Sequence, residues 1–193
     1  MLLLRKPTIE RIQAFLEVQS RLDLTYSAVG ATVKIPPTDY VLDHTRMRLG
    51  AGEKVFDAAK AALQRWQQFR LGWLEACPQH TPIQEGQAVA ILGQSLGLWW
   101  LNACRIVVVV DQDGPVKRFG FAYGTLPGHV GSGEERFLIE WDRSTDSVFY
   151  DILAFSRPHH FLARLGYFWM RRTQKRFGRE SVAAMRRAID AAG

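Results

Sequence analysis

The residue best placed for chemistry is an acid in the middle of a predicted strand. In the segment 147–156 successive side chains alternate between two faces, and Asp151 shares its face with three apolar residues: Phe149, Leu153 and Phe155. A carboxylate in such company either pairs with a cation or binds a proton at a higher pH than usual. Three arginines on other predicted strands are candidate partners: Arg46, Arg105 and Arg136. The sequence therefore leaves a buried ion pair and acid–base catalysis open, and it favours the ion pair.

The glycine-rich segment 126–133 contains a second candidate, His129. This segment joins two predicted strands and no helix follows it, so it lacks the structural context of a dinucleotide-binding or phosphate-binding loop. Two interpretations remain, a mobile lid over one end of the sheet and a plain hairpin. His44 follows Asp43, but neighbouring residues of a strand point to opposite faces, so these two side chains cannot form a relay.

Motifs of nucleophilic and metal chemistry are absent from the sequence. Ser95, Ser132 and Ser156 have no GxSxG elbow around them. Cys77 and Cys104 lie outside any metal-binding spacing. These absences lower the expectation of an enzyme without excluding a site assembled in space. A cyclase-like or hydrolase-like enzyme that uses Asp151 or His129 as acid or base stays as an alternative, and the sequence predicts neither a metal nor another cofactor.

Basic residues are concentrated at the end of the chain. The whole protein has a formal charge of +6, whereas the segment 157–187 alone holds nine basic residues and one acid, a balance of +8. Five of the basic residues are spaced for one face of a helix: Arg164, Arg171, Lys175, Arg179 and Arg186. Such a face is either a solvated surface or a docking surface for anionic lipid. Nucleic acid is a weaker alternative, because no aromatic platform is interleaved with these residues.

The elements that must position these residues change from helical to strand periodicity along the chain. Helical spacing of apolar residues predicts helices over 8–19, over 53–69 and from Pro158 to about Ala191, the last one bent or interrupted at Gly178. Strand patterns cover seven segments: 40–49, 72–77, 87–94, 98–111, 116–125, 134–142 and 147–156. Six of these follow one another without a helix, which predicts antiparallel hairpins. The predicted fold class is α+β, a curved antiparallel sheet of about seven strands packed on a long C-terminal helix.

Length and composition fit one globular domain. The 193 residues are 47% hydrophobic and 23% charged, which argues against long disorder and against a fibrous protein. We expect a single domain over residues 1–193, with residues 1–25 as an N-terminal helical extension. The apolar run at the N-terminus is too short for a signal peptide, and no segment approaches the roughly 20 apolar residues of a transmembrane helix. The predicted location is cytoplasmic, with peripheral attachment to a membrane left open.

The order of strand, helix, meander and long helix resembles the helix-grip fold of START-like lipid-transfer proteins and birch-pollen-allergen-like proteins. In those proteins the sheet wraps the last helix and leaves an apolar cavity between them. Five sequence motifs are more specific than the order of the elements: DHTR at 43–46, GLWWLNACR at 97–105, FGFAYGTLP at 119–127, GEERF at 133–137 and AFSRP at 154–158. Together they resemble an uncharacterised bacterial and plant domain-of-unknown-function family, one of whose plant members is described as a chloroplast outer-envelope pore protein. The helices at both ends of this chain favour a soluble domain over a pore.

The combined expectation is a soluble helix-grip protein that binds an apolar or amphipathic small molecule between the sheet and the terminal helix. Four polar side chains are predicted to orient that molecule: Arg105, Tyr123, Glu140 and Asp151. His129 is predicted to lie on the loop at the mouth of the cavity.

Overall fold

A computed structural model describes residues 1–158 and 167–192 of the protein. The strands in these residues form one antiparallel sheet. They are β1 (Leu2–Leu3), β2 (Val41–Ala51), β3 (Leu74–Cys77), β4 (Ala88–Ser95), β5 (Leu98–Gln112), β6 (Val116–Thr125), β7 (Gly131–Asp142) and β8 (Ser147–Pro158). Along the sheet they follow the order β2-β8-β7-β6-β5-β4-β3, and β1 pairs with the beginning of β5. Strands β3 to β8 are therefore joined as consecutive hairpins, which confirms the prediction.

Three helices cover the curved sheet: α1 (Ile9–Gln19), α2 (Glu53–Gln64) and α3 (Tyr167–Asp190). Helices α2 and α3 pack on one face, which we call the inner face. Helix α1 packs against β4 and β5 on the opposite face, which we call the outer face. The predicted helix-grip architecture is confirmed, and the sheet is covered on both faces.

Aromatic side chains fill the space between the inner face and the helices. Phe121 and Phe137 come from the sheet, Phe69 from the turn after α2, and Phe177 from α3. The ring of Phe69 stacks on Phe177 with centroids 5.2 Å apart and meets Phe137 edge to face at 5.5 Å. Each buried ring of this size contributes about 1.5–3 kcal/mol to stability. This cluster therefore holds α3 on the sheet.

Residues 20–40 cross the outer face as a strap, which is anchored by the buried carboxylate of Glu134. The Tyr26 hydroxyl and the Gly30 amide each donate to this carboxylate at 2.7 Å. The Thr32 amide donates to it at 2.9 Å. Gly124 lies under the strap, where a Cβ atom would come within 2.1 Å of the Tyr26 hydroxyl. The strap is thus seated on the sheet by polar contacts and by the small size of one residue.

Helix α2 ends five residues earlier than predicted, at Gln64 instead of Phe69. Trp66 adopts a left-handed backbone conformation with φ 55°, and its buried indole donates to the Thr81 carbonyl at 2.8 Å. Residues Gln67–Phe69 then form a 3-10 turn that places Phe69 against α3. The early end of α2 is therefore caused by a tertiary contact that helical periodicity does not reveal.

Helix α3 runs through Gly178 without a break, so the interruption predicted as one alternative at this residue is wrong. A Cβ atom at Gly178 would lie 2.8 Å from Thr45 Oγ1 on β2. Because glycine has no Cβ atom, it allows the backbone of α3 to approach strand β2 closely at this point.

Candidate functional site

One carboxyl on β7 faces the interior of the protein. Glu135 shares the inner face with Phe137 and Ile139, because alternate residues of a strand point to the same side. Strand β6 places Tyr123 directly opposite Glu135. The Tyr123 hydroxyl donates to Glu135 Oε2 at 2.6 Å. The sheet thus presents a hydrogen-bonded acid and phenol toward α3.

The surroundings of Glu135 favour its protonated form. Burial raises the pKa of this carboxyl to about 7, the hydrogen bond from Tyr123 opposes the rise, and the negative charge of Asp43 adds to it. Burial and the charge of Glu135 also raise the pKa of Tyr123 well above its ordinary value. A carboxyl that titrates near neutral pH can bind or release a proton under physiological conditions.

A small cavity opens beside Glu135, between α3 and the edge of the sheet formed by β2, β8 and β7. Its volume is about 40 Å³. A single water needs about 10–15 Å³ of such space, so the cavity has room for a small head group. It is lined by Asp43, Thr45, Glu135, Ile152, Ala154, Gln174, Phe177 and Gly178. We call this space the mouth cavity.

Polar contacts between α3 and the sheet border the mouth cavity. Arg171 forms an ion pair with Asp43 and donates to Gln174 Oε1 at 2.9 Å. Gln174 Nε2 in turn donates to Ser156 Oγ at 3.0 Å. The sequence placed Arg171 on the exposed basic face, but its side chain is only 21% exposed and is turned toward β2. Arg171 therefore belongs to the border of the cavity.

The position under α3 where the sequence predicts a ligand cavity is occupied by rings in the described part of the chain. Phe177 both lines the mouth cavity and stacks on Phe69. It also meets Phe137 edge to face at 6.2 Å. A ligand larger than a small head group therefore needs Phe177 or α3 to move.

Three of the predicted ligand-binding residues lie on the outer face, away from α3. Asp151 stands between Tyr150 and Ile152, which both belong to the inner core, so its side chain points outward. Glu140 and Arg105 follow the same alternation on β7 and β5. Arg105 Nη2 donates to the carbonyls of Ser20 and Leu22 in the strap at 2.6 and 2.8 Å. The expectation that Asp151, Glu140 and Arg105 line a cavity under the terminal helix is therefore corrected by the strand register.

Asp151 is paired with cations, as the ion-pair interpretation predicts. Its carboxylate is 4% exposed and accepts from Arg136 at 2.6 Å, from His44 Nε2 at 2.8 Å and from Arg46 at 3.1 Å. Glu140 extends this outer-face ion network through Arg46 and through Arg118, which donates at 2.8 Å. Burial alone would raise the pKa of Asp151, but the hydrogen bonds and the charge of Arg136 hold it below its ordinary value. The role that these contacts indicate is structural.

His129 lies in the hairpin between β6 and β7, and it does not line the mouth cavity. Its Nδ1 accepts from the Gly131 amide at 2.9 Å. The neighbouring Gly128 amide donates to Gln19 of α1 at 2.6 Å. Gly131 and the residue opposite Asp151, Leu138, are seven positions apart on β7, or about 23 Å at 3.3 Å per residue. His129 and Asp151 are therefore too far apart to act as one acid–base pair.

Tyr123 is the one predicted ligand-binding residue that reaches the mouth cavity, through its hydrogen bond to Glu135. Sequence reasoning missed Glu135 itself, together with Asp43 and Gln174 as lining residues. The signal for Glu135 was present in the alternation of β7, where it shares a face with Phe137 and Ile139. The contributions of β2 and α3 come from distant segments and carry no local signal.

The outward side of α3 carries six exposed basic residues: Arg172, Lys175, Arg176, Arg179, Arg186 and Arg187. We call this surface the basic face. Arg176 pairs with Glu180 and Arg186 donates to the Arg48 carbonyl, whereas Arg172, Lys175, Arg179 and Arg187 form no hydrogen bond or ion pair within the described residues. Lys175, Arg179 and Arg186 lie on this face as predicted. Arg164 of the predicted set falls outside the described residues.

Two further findings apply to residues 1–158 and 167–192. In these ranges no group of three or more His, Cys, Asp or Glu side chains is arranged to hold a metal ion. None of the helices there combines the length and apolarity needed to cross a membrane.

Comparisons of sequence identify relatives of unknown function. A protein family described as "Domain of unknown function (DUF1990)" matches residues 25–184. A UPF0548 protein of Dictyostelium discoideum is 35% identical over 204 residues, which cover 96% of this chain and 94% of the relative. A UPF0548 protein of Arabidopsis thaliana is 34% identical, with 82% of this chain and 78% of the relative covered. The resemblance to a bacterial and plant family of unknown function is thus confirmed.

Solved structures with a similar fold have little sequence identity to this chain. A hypothetical protein of Helicobacter pylori has a TM-score of 0.51 at 8% identity, with 84% of this chain and 94% of that chain covered. Ara h 8.0201 has a TM-score of 0.47 at 8% identity, covering 78% and 98% of the two chains. Human STARD10 has a TM-score of 0.42 at 10% identity, covering 92% and 81%. At these identities the likeness concerns the fold alone.

Proposed function

We propose that this protein, which belongs to the DUF1990 family of unknown function, binds an amphipathic small molecule at the mouth cavity. The observation that carries the proposal is the Glu135–Tyr123 pair, a polar couple that the sheet holds beside a cavity in an otherwise aromatic interior. Burying a carboxyl in such surroundings destabilises the fold. A buried acid with a raised pKa beside a cavity is therefore a candidate for a binding role. Binding sites commonly combine apolar walls with a few convergent polar groups, and the mouth cavity has this composition.

The small volume of the cavity defines how binding would occur. The head group of the ligand occupies the 40 Å³ beside Glu135, and its apolar tail takes the place of Phe177 among the rings under α3. Phe177 is 8% exposed and is the residue of α3 that both lines the cavity and touches Phe69. We therefore expect the tail to enter when the Phe177 side chain moves away from Phe69, together with a small shift of α3.

Filling the mouth cavity tests this proposal. Ala154 lines the cavity, so Ala154→Leu is expected to weaken binding of the neutral fluorescent probe N-phenyl-1-naphthylamine at least about tenfold, or about 1.4 kcal/mol. Ala88 is opposite Arg105 and lies on the outer face, so Ala88→Leu adds the same volume elsewhere and is expected to leave binding unchanged. The measurement is a fluorescence titration at constant protein concentration. Equal affinities of the two variants, or no binding by the unmodified protein, would contradict the proposal.

We also propose that the basic face of α3 docks on anionic membrane surfaces. The observation that favours this second function is a set of exposed cations that form no hydrogen bond or ion pair within the described residues: Arg172, Lys175, Arg179 and Arg187. A basic residue near an anionic bilayer contributes about 1 kcal/mol. The same helix borders the mouth cavity, so docking would bring the cavity close to the lipids.

Charge reversal on the basic face tests the docking. The triple variant Arg172→Glu, Lys175→Glu and Arg179→Glu is expected to bind vesicles of phosphatidylcholine with phosphatidylserine about 100-fold more weakly than the unmodified protein. A control with three exposed cations elsewhere reversed carries the same net charge: Arg11→Glu, Lys34→Glu and Lys54→Glu. Cosedimentation with vesicles at low and high salt provides the measurement. Equal losses in both variants, or binding to duplex DNA in preference to vesicles, would reject a membrane-specific face.

A further inference from the structure

The lining of the mouth cavity combines carboxylates with apolar side chains. Asp43 from β2 and Glu135 from β7 contribute carboxylate oxygens, and Thr45 and Gln174 add neutral oxygens that can accept hydrogen bonds. Ile152, Ala154 and Phe177 supply the apolar part of the lining, and Ala154 lies between Asp43 and Glu135 in the strand register. We infer that the ligand of this cavity is a protonated amine with an apolar tail. This inference rests on the proposed function and names its ligand class.

The charges around Glu135 exclude an anionic head group. Among the residues whose side chains the structure describes, five titratable groups face it from the neighbouring elements: Asp43 on β2, Cys104 on β5, Tyr123 on β6, Tyr150 on β8 and, beyond Asp43, Arg171 on α3. Arg171 is the only cation among them, and it already pairs with Asp43. Once Glu135 is ionised, the site has one negative charge in excess. An ammonium group neutralises that charge, whereas a carboxylate or phosphate head would add to it.

The hydrogen-bonding groups agree with the charges. An ammonium donates up to three hydrogen bonds and accepts none. Four lining residues have oxygens that can accept hydrogen bonds: Asp43, Glu135, Thr45 and Gln174. Those of Asp43 and Gln174 also accept from Arg171. Tyr123 already donates to Glu135, so the carboxylate keeps its geometry when the cation approaches. A head group of this kind is also small enough for a space of about 40 Å³.

Binding of such a cation must release a proton from Glu135. In the free protein, burial and the charge of Asp43 keep the pKa of this carboxyl near 7. The positive charge of a bound ammonium offsets both effects, because it favours the ionised form of Glu135. At pH 7 about half of the free protein has Glu135 protonated, so about half a proton leaves for each ligand bound. An anionic or neutral ligand would release none.

Calorimetric titration of the protein with octylamine, octanol and octanoate tests the inference. The three probes share an eight-carbon tail and differ in the charge of the head. We expect octylamine to bind at least about tenfold more tightly than octanoate at pH 7, with octanol between them. Titrations in phosphate and in HEPES, which differ in ionisation enthalpy, should give a release of about half a proton for octylamine alone.

Variants separate a failure of the inference from a failure of the proposed function. Glu135→Gln is expected to abolish the proton release and to weaken octylamine at least about tenfold, whereas Glu17→Gln, the same change on an exposed residue of α1, should alter neither. Octanoate that binds as tightly as octylamine, or octylamine that binds without proton release, would overturn the amine while leaving a ligand in the cavity. Absence of binding by all three probes and by N-phenyl-1-naphthylamine would overturn the proposed function itself.

Discussion

Replacing Asp151 with asparagine is expected to lower the free energy of unfolding by about 3 to 5 kcal/mol, the usual loss when one partner of a buried ion pair is removed. The carboxylate is 4% exposed and accepts from Arg136, Arg46 and His44. Asparagine keeps the shape of the side chain but removes the charge. Arg136, whose own side chain is 15% exposed, could then donate to the neutral amide oxygen and to the Thr32 carbonyl, but its buried charge would lose the Asp151 carboxylate as counter-ion.

Urea denaturation followed by circular dichroism measures this loss, and Asp111→Asn is the matched control. Asp111 is 60% exposed and pairs with Lys60 at 2.9 Å, so the same chemical change there is expected to cost less than about 1 kcal/mol. The excess loss at position 151 reports the buried network. If the two variants unfold at the same urea concentration, Asp151 has no structural role and its use in binding or catalysis must be reconsidered.

The sheet and its order were predictable because each strand carries a local signal. Turn residues between 112 and 116 and between 142 and 147 separate β5 from β6 and β7 from β8, close to the predicted positions. Helix ends were less predictable, because they depend on distant contacts. Trp66 ends α2 through the Thr81 carbonyl, and Gly178 lies inside α3 because of Thr45 on β2.

The faces of the strands were harder to assign than the strands themselves. In most half-exposed sheets the apolar face is the inner one, but here α1 and the strap bury parts of the outer face as well. Phe155 shares the outer face with Asp151 and is fully buried under Tyr26 and Tyr40. An acid next to phenylalanines is therefore not evidence for the inner face, and Asp151 was assigned to the wrong side for this reason.

Only part of the candidate site could be predicted from the sequence, because some of its residues come from segments that are far apart in the chain. Tyr123 was recognised as a polar residue on an aromatic strand face, and Glu135 has the same pattern on the adjacent strand. Asp43 and Arg171 lie 128 positions apart and meet only because β2 pairs with β8 at the sheet edge and α3 crosses it. Contacts made by strand pairing and helix packing between such distant segments leave no regular spacing in the sequence from which they could be predicted.

Glu135→Gln is expected to change the pH dependence of stability by about 3 kcal/mol. The pKa of Glu135 is about 7 in the folded protein, against 4.5 in an unfolded chain, because burial and the charge of Asp43 disfavour the carboxylate. Below pH 4.5 the carboxyl is protonated in both states and exerts no effect. Between pH 4.5 and 7 the carboxyl is ionised in the unfolded chain but still protonated in the folded protein, so the unmodified protein loses about 1.4 kcal/mol of stability for each unit of pKa difference.

Glutamine resembles the protonated carboxyl, can still accept the Tyr123 hydrogen bond and does not ionise. The stability of the glutamine variant relative to the unmodified protein should therefore rise between pH 4.5 and 7 and remain constant from pH 7.5 to 8.5. Urea denaturation of both proteins across this range measures the difference, and Glu17→Gln should show no such trend because that residue is 70% exposed. If the difference in unfolding free energy between the two proteins does not depend on pH, Glu135 has the same pKa in the folded and unfolded states. Glu135 would then not be the group that titrates in the mouth cavity.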